Sequence, residues 1–156
     1  METSKVNKIE WVDVLRAGIA WAVVYTIGAA IGLFTFLGRE LMNALGALGH
    51  PFNPTVSELA RISVFGAISI VCFSVANTWL YLMLRAHSGN GLRSAFLSGL
   101  FIWLLSVVAP VVHLVVFRVV STRFAAIDIP GECLLLLVAS IAGARTYEWS
   151  ARSRAA

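Results

Sequence analysis

The chain has 156 residues, of which 59% are apolar and 13% charged, with a mean hydropathy of +0.85 and a formal charge of +4. Soluble domains carry about 45–50% apolar residues, and a chain this short cannot hide such an excess, so an ordinary soluble globular domain is excluded. The positive residues flank apolar runs instead of forming a stripe, and the charge therefore carries no nucleic-acid footprint; ten of the twelve are Arg, the usage of a GC-rich bacterial genome.

The apolar residues fall in four runs, 17–37, 62–84, 95–117 and 124–144. Each is close to the ~20 residues that a helix needs to cross ~30 Å of hydrocarbon. With their flanks, the runs predict helices at about 11–38, 56–85, 94–119 and 124–148, joined in part by an outer loop at 39–55. The expected fold is all-α: a single transmembrane domain over 1–156, built as an up-and-down four-helix bundle.

The first run follows Lys5 and Lys8, but Glu10 and Asp13 interrupt the basic start of a signal peptide. The run is also longer than the ~7–15 residues of a secretory core, which predicts a retained membrane helix. Within it, Gly28 and Gly32 have GxxxG spacing, preceded by Ala17, Gly18, Ala20 and Ala22. Glycines four apart share one face and let another backbone approach closely. This candidate packing face serves either the second helix of the chain or another subunit.

In the connection that follows, Leu41, Leu45 and Leu48 recur at helical spacing, which predicts an extension of the first helix or a short interfacial one. His50-Pro51-Phe52-Asn53-Pro54 then breaks any helix. Thr55 and Glu58 have the spacing of a capping box and predict a start near Val56. The second run carries Asn77, expected to hydrogen-bond a neighbouring helix, and Cys72, which with Cys133 is read as inert packing. Ser88-Gly89-Asn90-Gly91 is turn chemistry, and the stretch around 121–123 is equally short. Short links make antiparallel neighbours.

Three ionisable residues fall in or beside the last two runs: His113, three residues after Pro110, and the pair Asp128 and Glu132. Charges inside a membrane helix are costly and mark functional sites. At ~1.5 Å per residue, His113 and Asp128 are expected at similar depth, about 10 Å outward of the bilayer centre. Together with Glu132 they form a candidate intramembrane polar site for relaying protons, binding a cation or recognising a polar group. A second reading competes with it: Asp128-Ile129-Pro130-Gly131-Glu132 resembles a helix start, with Asp128 as N-cap, Pro130 in the first turn and Glu132 at the positive end of the dipole.

Basic residues set the orientation. Lys5, Lys8, Arg16, Arg85, Arg93, Arg145, Arg152 and Arg154 fall on one side, and Arg39, Arg61, Arg118 and Arg123 on the other. The excess predicts both termini in the cytoplasm, and Trp11, Trp79, Tyr81, Tyr147 and Trp149 gather on that face as an aromatic belt does. The expected location is a bacterial inner membrane.

Catalytic, metal and cofactor signatures are missing from the sequence. It has no G-x-S-x-G, H-E-x-x-H or phosphate loop, no second histidine at the depth of His113 for haem, and no zinc spacing around its two cysteines. The sequence thus predicts a non-enzymatic membrane protein with no cofactor, whose partners are the lipid bilayer and other membrane subunits or further copies of itself. Two functions fit: an accessory, scaffolding or assembly role in a membrane protein complex, or an oligomeric small transporter or channel that uses Glu132 and His113.

Overall fold

The computed structural model of the chain describes residues 11–34, 36–47 and 55–153, and every regular element among them is helical. In chain order these are α1 (Trp11–Leu33), α2 (Phe36–Ala47), α3 (Val56–Ser88), α4 (Gly91–Trp103), a π-helical segment (Leu104–Val108), α5 (Ala109–Val116) and α6 (Thr122–Ser153). Four stretches are long and apolar enough to cross a membrane: Trp11–Gly32, Val56–Ser88, Gly91–Val116 and Thr122–Ser153.

The local chemistry of the boundaries is explicit. At the start of α3, Glu58 N–H donates to Thr55 Oγ1 (3.4 Å), and Thr55 N–H donates to Glu58 Oε2 (2.8 Å); the capping box is complete. At its end, Gly89 takes the left-handed conformation (φ 66°) that a side chain resists. Asn90 Oδ1 then accepts from Arg93 N–H (3.1 Å) and opens α4. Within the 39–55 connection, the helical spacing of Leu41 and Leu45 falls on α2, which runs to Ala47 after a break from α1; the residues from Leu48 to Pro54 lie outside the described ones.

The Gly91–Val116 span is not a uniform α-helix. Ala109 N–H donates to Leu104 O, five residues back, which defines the π turn that precedes Pro110. Proline lacks an N–H, and its ring collides with the carbonyl four residues before it in a regular α-helix; the widened turn relieves that collision. It also resets the phase. Ser94, Ala95, Ser98, Gly99 and Ile102 are buried at intervals of one, three or four residues, but the next buried residue, Val107, comes five later. The extra residue of the turn returns Val107, and then Val111, to the inner face.

α6 begins at Thr122, where Ser121 Oγ accepts from Phe124 N–H (3.0 Å). This corrects the reading of Asp128 as an N-cap: Asp128 lies inside the helix, and Pro130 is an interior proline. Beside it, the Trp103 indole N–H donates to the carbonyl of Ile129 (2.8 Å) and ties the third span to α6.

The four spans pack as a ring. α1 lies between α3 and α6, and α4 lies between the same two, while α3 and α6 meet only slightly across the middle. α1 and α6 form the largest seam and run in opposite directions: Asp13, in the first turn of α1, meets Ser150 near the end of α6. Gly143 sits against the Ala17 carbonyl, which lies 3.1 Å from where a Cβ would stand. The core joins Trp21, Ile102, Val107, Val111, Leu136 and Ala139. In contrast, residues 56–69 of α3 are exposed throughout wherever a side chain is described, so the N-terminal half of this helix leaves the ring.

Candidate intramembrane polar site

The structure separates the three ionisable residues singled out by sequence. Val107 and Val111 define the inner face of the third span. His113 follows Val111 by two residues, about 200° around the helix; it is exposed and sits beside Phe117, with ring centroids 5.9 Å apart. Asp128 and Glu132 are both half-buried on α6. Glu132 shares the face of Leu136 and Ala139, which packs into the core.

The partner of Glu132 comes from α1. The Tyr25 hydroxyl lies beside the Glu132 carboxylate, while Glu132 Oε2 is buried with no hydrogen-bond partner among the described residues. Tyr25 is itself positioned by stacking on Trp21 at a centroid distance of 5.1 Å. Beside this pair, Trp21 and Tyr25 of α1, Ile70 and Phe73 of α3, Ser106 of the π segment and Leu136 of α6 line a cavity of ≈ 80 Å³. It sits at the level where α3 departs from the ring. Sequence reasoning missed Tyr25, because a tyrosine within an apolar run carries no spacing that announces its partner.

Two further polar clusters lie toward the end of the bundle that holds the chain termini. In the first, Ser140 Oγ donates to Asn77 Oδ1 (3.0 Å) and accepts from Trp21 Nε1 (3.3 Å), tying α6, α3 and α1 together. In the second, Arg16 donates to Ser150 Oγ (3.0 Å), and Ser150 donates to Asp13 Oδ1 (2.6 Å). Nearby, Tyr81 donates to Glu148 Oε1 (3.1 Å), and Arg85 donates to Tyr81 (3.2 Å). Arg85 and Arg152 also pair with Glu148 at 3.7 and 3.3 Å. Ring pairs Trp11–Trp79 and Tyr81–Tyr147 close the same end. These groups brace the helices; each donor or acceptor named faces another side chain of the bundle.

The glycine pair divides. Gly28 packs against the Leu135 side chain of α6, while among the described residues nothing lies within 4 Å of where a Cβ on Gly32 would stand. Cys72 is exposed and Cys133 half-buried, both as free thiols. Among the described residues, no three His, Cys, Asp or Glu side chains converge as a metal site would require.

Comparison of the chain with protein-family models, curated proteins and solved structures finds no match.

Proposed function

We propose that this chain is a non-catalytic subunit of an inner-membrane protein complex, acting as an accessory, scaffolding or assembly component. Both termini face the cytoplasm in this reading, and the four spans cross as an up-and-down set. One observation supports it above the others: no described side chain in the outward half of α3, residues 56–69, is buried among the described residues. Ile62, Val64, Phe65 and Ile68 are all more than half exposed, and Ser63, Gly66 and Ala67 lie among them. Lipid provides little drive for helix association, so small residues that admit a second backbone mark the faces where membrane helices meet.

The test is photo-crosslinking in native membranes, with a photoreactive phenylalanine analogue placed at Phe65. Discrete adducts to foreign membrane subunits are expected. Adducts to lipid alone, at Phe65 and at Ile62, would count against the reading.

A second reading is an oligomeric small transporter or channel, and the half-buried Glu132 with its unpartnered oxygen favours it. His113 gives this reading no support from within one chain, because its ring faces away from Glu132. Glu132→Gln in a reconstituted flux assay separates the two: loss of flux supports transport, and unchanged flux removes Glu132 from any pathway.

A further inference from the structure

The carboxyl of Glu132 sits where a charge is hard to keep. Tyr147 of the aromatic belt is fifteen residues further along α6, about 22 Å at ~1.5 Å per residue. If that belt marks one interface, Glu132 lies roughly 8 Å inside the opposite boundary of a ~30 Å hydrocarbon layer. Its Oε2 is buried with no hydrogen-bond partner among the described residues, and the Tyr25 hydroxyl of α1 lies beside the carboxyl.

No cation faces it. From α1 the facing titratable group is Tyr25, and on α6 itself the neighbour one turn away is Asp128, a second acid. His113 of α5 points outward against Phe117. Cys72 of α3 is exposed, and Trp103 of α4, which does not titrate, is bound to Ile129. Glu40 of α2 and Arg118 line a groove beside Thr122 and Phe124, roughly 12 Å or more along α6 from Glu132. Arg123, nine residues before Glu132, projects from the opposite side of the helix at ~100° per residue.

We propose that Tyr25 and Glu132 form a proton-binding site between α1 and α6, and that losing the proton opens this seam at its outward end. A carboxylate without a cation must recruit water when it is held in hydrocarbon. The structure offers water a route, because α3 leaves the ring beyond Ile70 and a cavity lined by Tyr25, Ile70, Phe73 and Ser106 lies at this level. The seam there is held by Tyr25 and by Gly28 against Leu135, contacts that yield without unfolding the terminal end, where α1 and α6 are tied through Asp13 and Ser150. The inference uses the membrane-spanning reading of α6 and is independent of the accessory role.

The experiment is infrared difference spectroscopy of the full chain in lipid nanodiscs during a pH titration. It is paired with spin-label distances between Ile31→Cys and Leu134→Cys in a background with Cys72 and Cys133 replaced by Ala. Ile31 and Leu134 are both exposed, so labels there do not invade the seam. A carbonyl band of a protonated carboxylic acid is expected to disappear as pH rises, with a parallel lengthening of the label distance. Glu132→Gln removes the band and the distance change, Glu132→Asp keeps a displaced band, and Asp128→Asn leaves both responses in place. The proposal is overturned by the absence of a titrating acid band, by loss of that band in Asp128→Asn instead, or by a label distance that is the same across the titration.

Discussion

Ser140 shows how much a single hydroxyl can hold in this bundle. It serves two buried partners at once, the Asn77 amide oxygen and the Trp21 indole. Ser140→Ala leaves the Trp21 N–H without its acceptor and Asn77 without its donor, at a cost of about 1–3 kcal/mol for a buried group stripped of its partner. A thermal melt in detergent should show the loss, and a melt unchanged from the parent chain would mean that water or rearrangement replaces the hydroxyl. Arg152 makes the opposite case. Its ion pair with Glu148 is formed by a side chain that is 76% exposed, so Arg152→Ala should move stability by no more than about 0.5 kcal/mol in the same melt. At this scale the sequence was only partly informative. Asn77, Asp128 and Glu132 stood out because polar groups are rare in apolar runs. Their partners did not, because serine, tyrosine and tryptophan are unremarkable there, and which of them meet depends on helix rotation. His113 illustrates that dependence: its depth can be counted along the chain, but its direction is set by packing around the π turn.

Individual helices were more legible than their joints. Long apolar runs, the Thr55–Glu58 capping box and the Gly89–Asn90 turn each have a local cause, and each appears where that cause acts. The π segment has no such signature, since every residue in it except Ser106 is apolar and the inserted residue shows only as a gap of five between Ile102 and Val107. The start of α6 was ambiguous for a related reason. Asp128 and Pro130 suit a helix start, yet Ser121 caps the helix two turns earlier and Trp103 serves the Ile129 carbonyl. Helix–helix seams follow the same logic. GxxxG spacing points to Gly28 and Gly32, whereas a close backbone approach is found at Gly143, on Ala17. Gly143→Leu should force α1 and α6 apart, because a carbonyl cannot rotate away as the Leu135 side chain beside Gly28 can. Disulfide trapping between Val14→Cys and Ser150→Cys, with the native cysteines removed, should fall sharply in that variant; undiminished trapping would show that the seam absorbs the leucine.

The molecule as a whole is turned inside out relative to a soluble protein. Asp13, Asn77, Thr78 and five serines are buried, while Ile27, Phe65, Phe101, Leu105 and Leu134 are among the exposed apolar residues. Apolar groups cost nothing against lipid, and polar groups find partners only between helices. The proposed orientation can be checked at this scale by labelling single cysteines in intact cells with an impermeant reagent. Cysteine at Arg93 should be protected until the membrane is broken, and cysteine at Arg118 should label directly; the reverse pattern would invert the topology.

The length of α3 has a consequence of its own. Its 33 residues extend about 50 Å at ~1.5 Å per residue, and its apolar stretch at 62–84 covers about 34 Å, slightly more than a ~30 Å hydrocarbon layer. Such an excess is absorbed by tilting, at a small cost per ångström. With its terminal half fixed in the ring and its outward half free, α3 can lean without disturbing the other spans. Bilayer thickness would then set the angle at which this arm is presented, so that thin and thick membranes expose the same surface in different directions.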